Sequence, residues 1–216
     1  MVDPKFKRAF AKAQGFYFTP MYETDFVQGQ HYAYAGIGAV VCKGVEEINV
    51  QGIGAIKTFV FEEMNMRMPK TLRVPEAKAE AAKIRKLADP ETLDAALRAI
   101  ESADGTFVPI VLSTSEANRS YPKMLESNDL NVLAELIRTT LGCDNSDSLY
   151  KGRPPKRMEH GDRAIFMVAG EYALVKGISF EDARKLFTEK SGKFRSIAPK
   201  SAETVPAVDQ VSPNLP

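Results

Sequence analysis

Glycines recur between Gly29 and Gly54, and this spacing limits the fold more than any other feature of the chain. They separate short runs that are rich in valine, isoleucine, phenylalanine and tyrosine, residues that favour β-strands. Glycine also permits the sharp corners that a small, strongly curved sheet requires. We therefore predict a bent β-sheet or barrel within residues 23–75, with strands over His31–Tyr34, Ala39–Cys42, Val45–Val50, Lys57–Glu62 and Thr71–Val74.

The hydrophobic period becomes helical beyond the last of these strands. Alanine, lysine and glutamate are strong helix formers, and they dominate Glu76–Leu87, which predicts a helix there. Asp89-Pro90-Glu91 places a capping residue, a proline and an acid at the start of the next helix. Apolar stripes predict further helices after Ser127-Asn128-Asp129, over residues 163–176 and after Ser179. The predicted fold class is α+β, multidomain, with a small bent sheet followed by an all-helical domain.

The two ends of the chain lack this patterning. Residues 1–22 carry four basic side chains against Asp3 and predict an N-terminal arm, either solvated or in contact with DNA or a partner. From Ser191 the sequence is rich in proline and serine without periodicity, which predicts a disordered tail. The expected division is therefore an arm over 1–22, a β domain over 23–87, a helical domain over 88–190 and a tail over 191–216.

Composition excludes several classes of function. The chain has 216 residues and balances 29 Lys+Arg against 28 Asp+Glu, so it is not a globally basic nucleic-acid coat. No apolar run approaches the roughly 18–20 residues that span a bilayer, so no membrane partner is expected. Cys42 and Cys143 are too few for a disulfide framework or a four-ligand zinc site, which favours a cytoplasmic location.

The sequence predicts neither catalysis nor a cofactor. The two histidines, His31 and His160, lack the spacing of metal ligands, and no P-loop motif is present. The G-x-G pairs lie among strands and indicate turns rather than a dinucleotide site. We therefore predict that the chain is not an enzyme and takes no metal, no cofactor and no small-molecule substrate. An enzyme would require one of the histidines to lie against a carboxylate in a pocket.

Several segments are more informative together than apart. They are Phe26–Gly38 (FVQGQHYAYAGIG), Val45–Gly52 (VEEINVQG), Thr71–Ala79 (TLRVPEAKA) with Ile84–Leu87 (IRKL), Ser127–Arg138 (SNDLNVLAELIR) and Gly177–Ala183 (GISFEDA). In this order they resemble the CarD-like (CdnL-like) bacterial RNA polymerase-binding factors across residues 23–188.

The resemblance implies a Tudor-like domain over residues 23–87 that docks on the β subunit of bacterial RNA polymerase. It also implies a helical domain that contacts promoter DNA at the upstream edge of the transcription bubble and changes the lifetime of the open complex. The family inserts a tryptophan there, whereas this chain has none, and the equivalent position falls near Thr114. Gln30, Ala33 and Ala35 also depart from the family's turn. Activation and antagonism both remain possible.

Two groups of residues are candidate contacts. The candidate polymerase contacts form a β-rich run at the place where the resembling family meets polymerase: Lys57, Thr58, Phe59, Val60 and Phe61. This run is either an exposed strand edge, which could bind polymerase by strand addition, or an interior strand. If it is interior, Lys57 is the better contact. A proline-stiffened basic loop and nearby residues are candidates for weak, polymerase-assisted binding of DNA phosphates, unless the loop is merely solvated: Lys151, Arg153, Lys156, Arg157, Thr114, Arg119 and Lys123. The alternative function is a structural or assembly protein whose β domain forms homo-oligomers.

Overall fold

The computed structural model describes residues 19–101, 114–141 and 156–197. Its first part forms one antiparallel sheet of five strands in the order β4-β3-β2-β1-β5. The strands are β1 (His31–Tyr34), β2 (Gly38–Val50), β3 (Gly54–Glu63), β4 (Thr71–Pro75) and β5 (Ile84–Lys86). Helices follow the sheet along the chain, which confirms the predicted α+β class.

The two runs predicted as separate strands on either side of Gly44 form one long strand, β2. The pairing of β2 with β3 shifts register between Cys42 and Gly44, so Lys43 is the extra residue of a β-bulge. Gly44 has a φ of 128°, which only glycine adopts without strain. The glycine that suggested a strand boundary therefore bends a continuous strand instead.

The helix predicted over Glu76–Leu87 does not form. This segment contains two short 3₁₀ turns, Glu76–Lys78 and Glu80–Ala82, and then strand β5. Lys83 lies between the second turn and the strand in a left-handed conformation, with a φ of 52°. Because β5 pairs with β1 and buries both Ile84 and Arg85, tertiary contacts outweigh the local preference for helix.

Five helices are described beyond the sheet: α1 (Pro90–Glu101), α2 (Thr114–Leu125), α3 (Leu130–Leu141), α4 (Lys156–Lys176) and α5 (Phe180–Ile197). Both predicted caps are present. Asp89 Oδ1 accepts a hydrogen bond from the Thr92 amide at 2.8 Å. Ser179 Oγ accepts one from the Asp182 amide at 3.0 Å.

The predicted boundaries near the two ends need correction. Helix α5 continues to Ile197, past the expected start of the tail at Ser191, and Ser191 itself is buried. Residues 198–216 lie outside the described part, as do residues 1–18 of the arm. Tyr22, expected in the arm, instead pairs with Arg85 in a β-bridge, and its hydroxyl donates to the Ser127 carbonyl at 2.5 Å.

Buried apolar side chains form two clusters. The sheet cluster is largely aromatic and contains Phe26, Tyr32, Phe59 and Phe61. The helical cluster is largely aliphatic and is built from leucine, isoleucine, valine and alanine of all five helices. Cys42 is fully buried in the sheet cluster, as its apolar surroundings in the sequence predict.

Candidate interaction surfaces and the sheet–helix junction

The run Lys57–Phe61 lies in β3, in the interior of the sheet. Strand β2 pairs along one side of it and β4 along the other, with Thr58 opposite Pro75 and Phe61 opposite Leu72. The prediction of an exposed edge at this run is therefore wrong, and the alternative interior position is the one observed. Strand order depends on the path of β4, which the composition of β3 does not reveal.

Four of the five candidate polymerase contacts have buried side chains. Thr58, Phe59, Val60 and Phe61 are 2%, 1%, 7% and 0% exposed. The rings of Phe59 and Phe61 pack edge-to-face on Phe26 at centroid distances of 4.9 and 5.0 Å. These two rings hold the sheet together, so they are core residues.

Lys57 is the accessible member of this run. Its ammonium donates a hydrogen bond of 2.6 Å to Glu76 Oε1 and lies 5.2 Å from the centre of the Phe59 ring. The hydrogen bond to Glu76 raises the pKa of Lys57 above its ordinary value of 10.5. Lys57 therefore presents an exposed ammonium beside the sheet that is paired with the Glu76 carboxylate.

An open backbone edge lies elsewhere in the sheet, on the hairpin formed by residues 44–57, which we call the β2–β3 ribbon. In the described part of the chain β1 pairs with β2 only from Gly38 to Val41, whereas β2 continues to Val50. The ribbon exposes Val45 (49%) and Ile53 (73%). This surface was not predicted from the sequence. The signal that could have found it is an apolar-rich strand run next to the turn glycines Gly52 and Gly54, a pattern that indicates a hairpin.

The candidate DNA contacts lie in different places. Lys151 and Arg153 are outside the described residues. Lys156 and Arg157 begin helix α4 and so do not belong to a loop, which corrects the prediction for these two residues. Pro154 and Pro155 directly precede the helix in the sequence. A helix tolerates proline only in its first turn, so a proline pair favours a helix start immediately after it. Thr114 is the first residue of α2.

Helices α2 and α4 run side by side in the same direction. The rings of Tyr121 and His160 meet edge-to-face at 5.8 Å. One turn further along, the Leu125 carbonyl accepts from the Gly36 amide at 3.2 Å, and Arg163 Nε donates to the Gly36 carbonyl at 3.1 Å. Both helices therefore point towards the turn at Gly36, and both begin at the opposite end.

We call this opposite end the paired helix start; its members are Thr114, Arg119, Lys156 and Arg157. Thr114 precedes Tyr121 by about 10 Å of helix, and Lys156 precedes His160 by about 6 Å, at ~1.5 Å per residue. The side chain of Arg119 is exposed on the same helix. Lys123 is also exposed and lies one helical turn beyond Arg119, about 6 Å nearer the Gly36 end.

His160 makes an aromatic contact through its ring. Burial lowers its pKa, and the charge of Glu159 acts in the opposite direction to a smaller extent. His31 lies in β1 opposite Val41. Within the described ranges no group of three or more His, Cys, Asp or Glu residues could hold a metal ion. No described helix is long and apolar enough to cross a membrane.

A buried ion pair, which was not predicted from the sequence, joins the sheet to the helices. Arg85 of β5 donates to both carboxylate oxygens of Glu171 of α4, at 2.6 and 2.8 Å, and each side chain is 2% exposed. Arg85 Nε also donates to the Asn128 carbonyl at 2.9 Å. A charged residue inside the apolar run of α4, MVAGEYALV, is the one sequence signal that indicates a buried partner.

Asn128 completes this junction from the loop between α2 and α3. Its side-chain amide donates to the carbonyls of Ala33 and Lys83, at 2.8 and 3.0 Å. Its backbone is left-handed, with a φ of 51°. Three of the segments that carry the family resemblance therefore meet at one place: strand β1, strand β5 and the loop before α3.

The chain matches no model of a known protein family, and a comparison with curated proteins finds no match either.

Proposed function

We propose that this chain is a non-catalytic transcription regulator that docks on bacterial RNA polymerase through its sheet, as a Tudor-like domain. In this proposal the paired helix start faces promoter DNA near the upstream edge of the bubble. The sequence resemblance motivates the proposal, and one structural observation supports it: most exposed apolar side chains belong to residues 21–68, whereas the paired helix start lies at the end of α2 and α4 that is opposite the Gly36 turn.

The exposed apolar side chains belong mostly to the β region, where Val45 and Val50 lie in β2 and the others lie in the segments around the strands. Of the eight large hydrophobic residues that are exposed in the described part of the chain, seven lie between Met21 and Met68, and Ile178 is the other. Apolar side chains grouped on a surface are typical of contacts with other proteins. The open edge of the β2–β3 ribbon adds unpaired backbone groups, which favour docking by strand addition.

The paired helix start suits a polyanion. Each helix directs the positive end of its dipole to its first turn, where one acidic residue, Glu116 or Glu159, partly offsets it. Lys156 and Arg157 add two cationic residues at the start of α4. Because the chain carries a net charge of only +1, its own affinity for DNA would be weak, and polymerase would supply the location.

Regulation would follow from differential binding. A factor that prefers the melted promoter to the closed one shifts their equilibrium by the ratio of its two affinities, at about 1.4 kcal/mol per tenfold. With no tryptophan in the chain, a threonine near the family's wedge position cannot fill an unstacked base step. Either other groups of the helical region provide the preference, or the chain occupies the polymerase site and antagonises activation.

Co-elution with core polymerase tests the docking step. Wild-type protein should co-elute, and Lys57→Ala should weaken the association by about tenfold, since rim charges steer partners and set register. Lys43→Ala is the matched control, because Lys43 is also exposed in the sheet and pairs with a glutamate, Glu62. Failure of the wild-type protein to co-elute would refute the proposal. Equal losses of polymerase binding in the Lys57 and Lys43 variants would show that Lys57 makes no specific contact with polymerase.

Salt titration of promoter association tests the DNA-facing step. The double variant Lys156→Ala/Arg157→Ala should weaken association and reduce the salt slope by about one unit for each phosphate that is no longer neutralised. Binding to polymerase should not change. Lys185→Ala, an exposed lysine of α5, serves as the control. Loss of polymerase binding together with promoter binding would mean that these residues are structural.

A second candidate function is self-assembly through the sheet. The observation that favours it is the β2–β3 ribbon, since an open strand edge with exposed Val45, Val50 and Ile53 can pair with another copy. Light scattering on the isolated chain distinguishes the two candidates. A defined large assembly without polymerase favours the structural role, and a monomer favours the regulator.

A further inference from the structure

Arg85 and Glu171 lie where three parts of the chain meet. Glu171 belongs to α4, and its Oε1 also accepts the Ala88 amide at 2.6 Å, from the link between the sheet and α1. Arg85 belongs to β5 and reaches the Asn128 carbonyl in the loop before α3. One carboxylate and one guanidinium therefore connect the sheet, its exit to the helices and the α2–α3 loop.

The geometry of this pair is directional. A planar guanidinium that donates two parallel bonds to one carboxylate fixes both distance and angle, unlike an apolar contact, which tolerates sliding. Burying such a pair contributes little net stability, because desolvation offsets the attraction. Its effect is therefore on the relative orientation of the elements that carry the two charges.

Two further contacts act on the same orientation. The turn at Gly36 is held between the Leu125 carbonyl and Arg163. At Gly38 an added Cβ would lie 3.2 Å from the Cα of Met167, so the sheet approaches the backbone of α4 closely there. Together with Asn128 these contacts join the sheet to the helices at separate points. Each is a single hydrogen bond or a close backbone approach, so the paired bonds between Arg85 and Glu171 supply the strongest angular restraint.

We propose that Glu171 is a positioning residue that fixes the helices on the sheet as one rigid body. A partner bound to the sheet then determines where the paired helix start lies. The rigid connection stands on the geometry alone, whereas the identity of the partner as polymerase rests on the proposed function. Glu171 contacts neither partner in this account and acts through Arg85.

Distance measurements between spin labels test the rigid connection in the free, full-length protein. Labels at Thr71→Cys and Arg184→Cys, both exposed positions, report on the sheet and on α5. Cys143→Ser removes one native thiol, and Cys42 is fully buried and so stays unlabelled. The wild-type background should give one narrow distance distribution. Glu171→Gln leaves the buried guanidinium without its counter-charge and should replace this with a broad or multiple distribution.

Asp94→Asn is the matched control, because Asp94 is an acid that bonds Lys176 and Tyr172 within the helices, away from the junction. It should keep the narrow distribution. Should Glu171→Gln fail to fold, Arg85→Lys decides the question, since lysine keeps the charge and loses the two-pronged geometry. A narrow distribution in a folded Glu171→Gln or, failing that, in Arg85→Lys would overturn the proposal.

A polymerase assay separates this inference from the proposed function. If both hold, the Glu171 variant co-elutes with polymerase as the wild-type protein does but loses its effect on open-complex lifetime. A purely structural role for Glu171 would lower stability and polymerase binding together and would overturn the positioning role. Absence of wild-type co-elution refutes the proposed function and leaves the distance result as the test of the rigid connection.

Discussion

The sheet and the helices are stabilised by different kinds of side chain. In the sheet a few aromatic rings pack edge-to-face, with Phe26 at the centre and Tyr32, Phe59 and Phe61 within 5.2 Å of it. In the helices a larger set of aliphatic side chains shares the burial. Because a small sheet has few core positions, large residues supply most of its buried apolar area. Each aromatic ring of the sheet therefore contributes more to stability than each leucine of the helices.

Removing one ring from the sheet should produce the largest loss of stability. Phe61 is fully buried and packs edge-to-face on Phe26, Tyr32 and Tyr34. Phe61→Ala removes this packing and leaves a cavity, and we expect it to lower the free energy of unfolding by about 4 kcal/mol. Urea denaturation followed by circular dichroism measures the change.

Leu133→Ala is the matched truncation in the helical cluster, where Leu133 is 1% exposed. We expect a smaller loss, about 3 kcal/mol, because neighbouring aliphatic side chains can relax into the space. Val45→Ala, at an exposed site, should change stability by less than about 0.5 kcal/mol. A loss at Leu133 equal to or greater than that at Phe61 would contradict the comparison between the two clusters.

Local signals in the sequence predicted most strands and the starts of α1, α3 and α5, but they did not predict α2, and they placed the start of α4 at residue 163 instead of Lys156. His31–Tyr34 and Thr71–Val74 carry residues that favour strands, and each lies within an observed strand. Asp89-Pro90-Glu91 contains its capping signal within three residues, so nothing distant decides it. Each of these elements depends on neighbours in the sequence, which explains why pattern alone was sufficient.

Features that depend on distant residues were missed. Glu76–Leu87 favours a helix locally, yet Ile84–Lys86 near its end pairs with β1 as strand β5. Lys57–Phe61 has the composition of a strand, but its interior position depends on where β4 pairs. Arg85 and Glu171 are separated by 86 positions, and no local pattern links them. Strand neighbours and buried charge pairs are properties of the tertiary fold, which spacing along one chain does not encode.

A helix cap tests whether a loss in the helices spreads to the sheet. Thr92 donates to both oxygens of Asp89, and these hydrogen bonds lower the pKa of Asp89. Asp89→Ala should cost about 1 kcal/mol, the usual value for a lost cap. Hydrogen exchange should accelerate in the first turn of α1 and remain unchanged in β2 and β3.

The cap's contribution also depends on pH in a defined direction. Because the folded pKa of Asp89 lies below its ordinary value of 3.8, the stabilisation is present above that value. It should disappear as the pH falls through the lower, folded value. Ser179→Ala removes the cap of α5. Because serine does not titrate in this pH range, the stability lost in this variant should not depend on pH through residue 179. Faster exchange in the sheet of the Asp89 variant would mean that the two regions unfold as one unit.

Glu135 gives the smallest expected effect and concerns the helical cluster alone. Burial raises the pKa of this carboxyl, and Arg138 and Thr139 oppose the shift to a smaller extent. A raised folded pKa means that the native state binds the proton more tightly than the unfolded chain. The associated stability is therefore complete below the ordinary pKa of 4.5 and is lost as the pH rises through the folded value.

Replacing Glu135 with glutamine removes a partly buried charge without changing the size of the side chain. We therefore expect Glu135→Gln to give a modest rise in the thermal midpoint at pH 7 and little change at acidic pH. Glu189→Gln, at an exposed position of α5, should leave the midpoint unchanged at either pH. A lower midpoint for Glu135→Gln at pH 7 would show that the charged form of Glu135 is held by its neighbours, and the aliphatic cluster would then depend on an ion pair as the sheet–helix junction does.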